Sequence, residues 1–233
     1  RREKGFHRGG AFSNLLDCMT KPRRPQHEVE AIRARILEEA LSLLVDAGYE
    51  GMSMRKIASR TGMSATNLYN YFSNKDEIYL AIVIRGFEML LERFREAVRA
   101  ESPPFEQAEA LLRAYLEFGL SHRHHYEVMF TRPMPKYNDF LGTPSEALAK
   151  VELERSMEII MIASQVARGI FDSPDNVTDS KTIRGRVTLV WSFLHGMLSL
   201  IHSGVAEYLI EDEETFVHNA VHDVIETLKR LEP

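Results

Sequence analysis

From Val29 onward the apolar positions of this chain recur every three or four residues. Ile32, Ile36, Ala40, Leu43 and Leu44 share one face, with Glu and Arg between them, which is the period of an amphipathic helix. Gly48 supplies its stop. Two short helices are predicted next. Ser53 can cap the first, which carries Ile57 and Ala58 and ends at Gly62. Ser64 can cap the second, which carries Leu68 and reaches Tyr71 and Phe72. Asn74 then opens a long helix through Ile78, Ile82, Phe87, Leu90, Leu91 and Phe94, ending near Ser102, Pro103 and Pro104.

The second half keeps the helical period. Helices are predicted over residues 105–123, 124–131, 145–171, 182–205 and 212–231. Residues 132–145, with three prolines and a glycine, read as a loop, and residues 172–180 as a second break. No segment alternates with period two for long enough to be a strand. The predicted fold class is all-α, with about nine helices: an N-terminal helix-turn-helix domain over residues 28–76 and a helical domain over residues 77–233.

Helix 182–205 is apolar nearly all round, through Val187, Leu189, Val190, Trp191, Phe193, Leu194, Met197, Leu198, Leu200 and Ile201. A helix without a polar face is buried on two sides, either inside one large domain or against a second copy. The last helix adds a stripe of Phe216, Ala220, Val224 and Leu228. A homodimer held by residues about 182–231 is the expectation, because two such helices from each copy make a four-helix interface.

Composition narrows the function classes. Hydrophobic residues make up 44% of the 233 and charged residues 27%, an ordinary globular balance. A single cysteine excludes a disulfide framework and every multi-cysteine metal site, as in a reducing, cytoplasmic setting. No apolar run reaches the roughly 18 residues that span a bilayer, so no membrane partner is expected. Residues 1–27 carry a net charge of +5 and contain Gly5, Gly9, Gly10, Pro22 and Pro25, which reads as a disordered basic arm. Met19 is one candidate start, which would make residues 1–18 upstream-derived sequence, and those residues are left out of the fold reading.

Elsewhere the balance is −1 over residues 28–76, zero over 77–100 and −9 over 101–233. Between Ser53 and Lys75 stand Arg55, Lys56, Arg60 and Lys75 and no carboxylate at all. In a chain richer in acids than bases, that gap suggests a surface that meets phosphate. Two capped helices around a glycine turn make the helix-turn-helix pattern. Ile57, Ala58 and Leu68 fix the two helices against each other, and Gly62 makes the turn. The exposed face of the second helix offers Ala65, Thr66, Asn67, Tyr69, Asn70 and Tyr71. These small and neutral hydrogen-bonding groups suit base edges, thymine methyls and phosphates.

Here the sequence resembles the TetR family of bacterial transcriptional repressors. The shared positions are Ser53, Ile57-Ala58, Gly62-Met63-Ser64, Leu68-Tyr69, Tyr71-Phe72 and Lys75, with Ser53 and Met63 as mild departures from the Thr and Val of that pattern. Trp191 with His195-Gly196, and Tyr126 to Phe130, resemble a Trp…His-Gly subclass of its C-terminal domains. The resemblance implies a double-stranded DNA operator as partner, with phosphate contacts from Tyr69, Tyr71 and Lys75. Arg55 would touch backbone or bases, Ser53 and Ser64 would act as caps at the DNA surface, and Ala65, Thr66, Asn67 and Asn70 would read base edges. It also implies an unknown small-molecule inducer in the second domain. Phe94, Phe118, Met129, Phe130, Met161, Trp191 and His195 are the expected ligand residues, chosen from a larger Met and aromatic set that includes Phe87, Tyr115, Tyr126 and Met157.

The alternative is a helical small-molecule binding or carrier protein without DNA affinity, which would have no need of the acid-free stretch. His218 and His222 lie one turn apart with Glu214 before them. Two such histidines still need a third metal ligand, and solvated or interface histidines are the expected reading, with no metal and no cofactor. No Walker, GxGxxG or GxSxG pattern is present, so no enzyme class is supported.

Overall fold

The computed structural model describes residues 25–98, 102–173, 175 and 177–230, and over these the chain is all-α with nine α-helices. The basic arm expected over residues 1–27 lies almost entirely outside the described residues. Helix α1 (Gln26–Gly51) buries Ile36, Ala40, Leu41, Leu43 and Leu44 along one stripe, and Gly48 breaks it with a φ of 69°. That left-handed backbone favours glycine because a Cβ would crowd the following carbonyl.

Helix α2 (Met54–Thr61) starts where the Ser53 hydroxyl accepts the Lys56 amide at 3.3 Å, and stops at Gly62, whose φ is 67°. Helix α3 (Ala65–Leu68) starts where the Ser64 hydroxyl accepts the Asn67 amide at 3.1 Å. It is shorter than predicted. After Leu68 the Asn70 and Tyr71 amides turn back to the Asn67 and Leu68 carbonyls, three residues earlier. Those tighter bonds close the segment before Phe72. Ile57, Ala58, Leu68 and Phe72 are all buried beneath α1.

Helix α4 (Lys75–Ala97) has a reciprocal cap. The Asn74 side chain accepts the Glu77 amide at 2.8 Å, and the Glu77 carboxylate accepts the Ser73 amide at 2.6 Å. Two orphan donors are thus satisfied at once. Behind its buried face lie α5 (Pro104–Ser121), α6 (Arg123–Tyr126) and α7 (Glu146–Phe171), with α7 as its main neighbour. The segment predicted as one helix over 124–131 divides into α6 and a π-helical turn, Glu127–Thr131. The predicted loop 132–145 holds a 3-10 turn, Tyr137–Phe140. α6 and the π turn also touch α1, so the body meets the head here as well as through α4.

Helices α8 (Ser180–His202) and α9 (Glu213–Arg230) complete the body. Within the subunit α8 buries Ile183, Leu194, Met197 and Leu198, while Leu189, Phe193 and Leu200 stay exposed with Gly185, Ser192, Gly196 and Ser199 among them. The stripe of α9 is in part taken up by the chain's own core. Ala220 is buried, and Phe216, Val224 and Leu228 pack on the subunit's own core. The reason is that α9 lies against α5, whose apolar face needs that cover.

Candidate nucleic-acid interface and body cavity

The head presents one polar face built by α2 and α3. Arg55, Lys56, Ser59, Ser64, Thr66, Tyr69 and Asn70 are exposed on it, with Tyr69 55% accessible. An exposed tyrosine ring on a three-turn motif is available for contact instead of packing. Arg55 forms no ion pair among the described residues. Asn67 and Asn70 face each other across one turn, with their amides 3.4 Å apart. Ala65, Asn67, Ser53 and Tyr71 are half-buried. The Tyr71 carbonyl accepts Arg33, whose guanidinium lies 3.9 Å from the Phe72 ring centre.

The four bases between Ser53 and Lys75 meet different fates. Arg60 is taken up by Asp46 of α1 at 2.7 Å and by the Ser42 hydroxyl at 2.9 Å. Lys56 donates to the Gly51 carbonyl at 2.7 Å, a short local bond that leaves its charge at the surface. Lys75, half-buried, rests 3.9 Å from the Tyr49 ring centre and donates to the Tyr49 carbonyl at 3.4 Å. Sequence spacing alone does not reveal that these ammonium and guanidinium groups already have partners on α1.

In the body, a cavity of about 290 Å³ lies between α4, α5, α7 and α8, at the small end of ordinary ligand sites. Its walls are Phe87, Phe94, Leu111, Leu112 and Tyr115 on one side and Ile159, Ile160, Ala163, Val166, Ala167 and Phe171 on another, closed by Phe130, Val187, Val190, Trp191 and Leu194. Arg186 is the one charged residue among the described lining groups. Of the seven expected ligand residues, Phe94, Phe130 and Trp191 line it. The other four do not. Phe118 is fully buried among core neighbours, Met129 packs inside the body beside Gly86, and Met161 is 60% exposed on α7. His195 is drawn away by the Tyr126 hydroxyl.

That last contact belongs to a hydrogen-bonded run along the cavity wall. Trp191 Nε1 donates to the Tyr115 hydroxyl at 2.7 Å, Tyr115 pairs with Tyr126 at 3.0 Å, and Tyr126 meets His195 Nδ1 at 2.5 Å. Burial pushes the Tyr115 phenol up to about 12 and moves Tyr126 in the same direction. Burial also lowers His195 below the usual imidazole range, so its neutral ring can accept. Within α6, burial and then Arg85 hold His125 down at about 4. These groups satisfy one another, which leaves the wall effectively apolar. The residues missed in the sequence are mostly the small and aliphatic ones of α7 and α8. Ala163 and Ala167, one turn apart, were the available signal: two small side chains facing a core leave space.

Among the described residues no group of three His, Cys, Asp or Glu side chains could hold a metal ion. His218 instead stands 3.5 Å from Arg113. No described helix is long and apolar enough to cross a membrane.

The comparisons with known proteins fall on both halves. A family model described as "Bacterial regulatory proteins, tetR family" matches residues 36–82. A second, "Tetracyclin repressor-like, C-terminal domain", matches residues 108–224, a stretch that holds most of the cavity wall. The HTH-type transcriptional activator FasR of Mycolicibacterium smegmatis is 31% identical over 115 residues, 49% of this chain and 50% of that protein. The chain spans about half the length of the curated relatives it matches. Among solved structures, a regulatory protein in the tetR family from Rhodococcus RHA1 shares the fold with a TM-score of 0.62 at 15% identity, over 86% of this chain and 96% of that one. The ketosteroid transcriptional regulator KstR2 of Mycobacterium tuberculosis does so with a TM-score of 0.56 at 19% identity, over 72% and 81%.

Proposed function

The chain belongs to the TetR family of bacterial regulatory proteins, and from that premise we propose that it is a homodimeric repressor, released from a palindromic operator when a small molecule fills the body cavity. The observation that carries the reading is the face of α2 and α3. It exposes Arg55, Lys56, Thr66, Tyr69 and Asn70 and bears no carboxylate from Ser53 to Lys75. Thr66, Asn67, Asn70 and Ala65 read base edges in the major groove, while Tyr69, Tyr71 and Arg55 hold phosphates. Lys75 joins the phosphate contacts by leaving the Tyr49 ring. Ser53 and Ser64 order the amides at the two helix starts.

The exposed apolar face of α8 supports a two-fold partner. Leu189, Phe193 and Leu200 lie at helical spacing with glycine and serine between them, and small residues let two helices approach closely. Two heads fixed by such an axis read half-sites about 34–36 Å apart. The ligand acts by favouring a body in which that separation is wrong. A preference of a few kcal/mol for that state is enough to empty the operator. Phe94, Phe130 and Trp191 are the ligand contacts among the residues first expected. The reading places the chain in the cytoplasm, with the operator it binds.

Selection from random duplexes tests the reading. A repressor of this kind returns a palindrome whose two halves are one helical turn apart or a multiple of it. Recovery of sequences without two-fold symmetry would contradict it. A second reading has one observation in its favour, since FasR is named an activator. An activator uses the same head, so a reporter behind the selected operator distinguishes the two by the sign of its response.

A further inference from the structure

We propose that the body cavity takes an amphiphile with an apolar chain and a single carboxylate head, and that Arg186 selects the head. This deepens, and rests on, the reading of the cavity as the ligand site. Every other polar group on the wall is already engaged. The Tyr115 hydroxyl receives the Trp191 N–H at 2.7 Å and pairs with Tyr126, and the Ser156 hydroxyl donates to the Leu153 carbonyl at 2.8 Å. Arg186 alone among the described lining residues keeps its donors free. It lies 3.8 Å from the centre of the Phe171 ring and forms no ion pair or hydrogen bond with a described residue.

A guanidinium stacked on an aromatic ring is held in place while its edge donors stay available, and that planar fork matches a carboxylate. A cation beside an apolar cavity also disfavours a cationic guest and gives a neutral one only the weaker bond of an uncharged acceptor. The rest of the wall is aliphatic and aromatic, so the body of the guest must be apolar. Met157 lines the cavity yet is 48% exposed, which opens a route to solvent along α7. Arg186 and Trp191 stand five residues apart on α8, about 7.5 Å along the helix. A chain anchored at Arg186 therefore passes the indole ring. Trp191 is the single tryptophan of the chain, so its emission reports occupancy directly.

The test titrates the full chain with decanoate, decanol and decylamine, following Trp191 emission and the melting temperature. Decanoate is expected to bind at least about tenfold more tightly than decanol, the range of a charge-assisted bond, and decylamine more weakly than either. Arg186→Gln should bring decanoate to the decanol level without changing decanol. Arg186→Lys should keep part of the preference, and Arg186→Glu should reverse it toward decylamine. Equal binding of decanoate and decanol to the unaltered chain, or an intact preference in Arg186→Gln, overturns the role of Arg186 and leaves the ligand site standing. No response to any of the three probes overturns the ligand site as well.

Discussion

The head over residues 26–74 and the body behind it are both made of capped helices, yet they carry function in opposite ways. In the head the informative atoms protrude. Tyr69, Asn70, Thr66 and Arg55 stand on a short motif whose caps, Ser53, Gly62 and Ser64, lie within a dozen residues of one another. In the body the informative feature is the volume that four helices leave unfilled between Phe94, Tyr115, Ala163 and Trp191. A protruding side chain is specified locally, by a cap and a turn. A cavity is specified by long-range packing, and any of its walls can be exchanged for another apolar residue without a trace in the local pattern.

The largest effect should come from the α8 face proposed to join two such chains. Phe193→Asp puts a charge on the exposed face of α8, where a partner would bury it, and an unpaired charge in an interface costs about 2–5 kcal/mol. Sedimentation should show monomers, and operator affinity should fall at least about thirtyfold. A dimer of undiminished affinity would move the interface off α8. Val224 is half-buried against the chain's own core, so Val224→Asp should lower the melting temperature as well as weaken assembly.

How much of this was legible in the sequence follows the same division. Ser53, Ser64 and Asn74 cap their helices as the sequence suggests, because a cap needs only one hydroxyl or amide three residues before the amide it accepts. The end of α3 was overestimated, since a tightening of the backbone after Leu68 leaves no mark in residue type. The partners of Arg60 and Lys75 on α1 were invisible for want of tertiary contact. In the body, size and aromatic character pointed to Phe94, Phe130 and Trp191 and equally to Phe118 and Met129, which simply pack. Helical period shows which face is buried but cannot separate a wall from a core. Met161 fell outside both, because one more apolar residue on α7 faces solvent.

Two substitutions sharpen the contrast between protruding groups and space. Asn70→Ala should remove about 1–3 kcal/mol of discrimination at particular operator positions while affinity for other positions stays ordered as before. A full preference matrix measured on this variant and on Asn67→Ala would show the change, and two unchanged matrices would place base readout elsewhere. Ala163→Phe should do the reverse. It fills the cavity from α7, which stabilises by about 0.5–2 kcal/mol where the space is real. The expected result is a higher melting temperature and loss of the emission response to decanoate. A large drop in stability would mean that the space is too narrow for a ring.

The smallest expected effect concerns Lys75. If it leaves the Tyr49 ring for a phosphate, Lys75→Ala lowers the slope of log affinity against log salt by about 0.9, for every DNA sequence alike. An unchanged slope would leave Lys75 as a tie between α4 and the end of α1.

The most direct test of the central claim is a binding titration at moderate salt with the duplex upstream of the chain's own coding sequence, in competition with scrambled DNA. A retarded dimer complex is expected that withstands about a thousandfold excess of the scrambled competitor, the lower bound for specific recognition, and that dissociates when decanoate is added. Binding no tighter to that duplex than to scrambled DNA, together with a full Trp191 response to ligand, would contradict it and return the chain to the class of helical binding proteins.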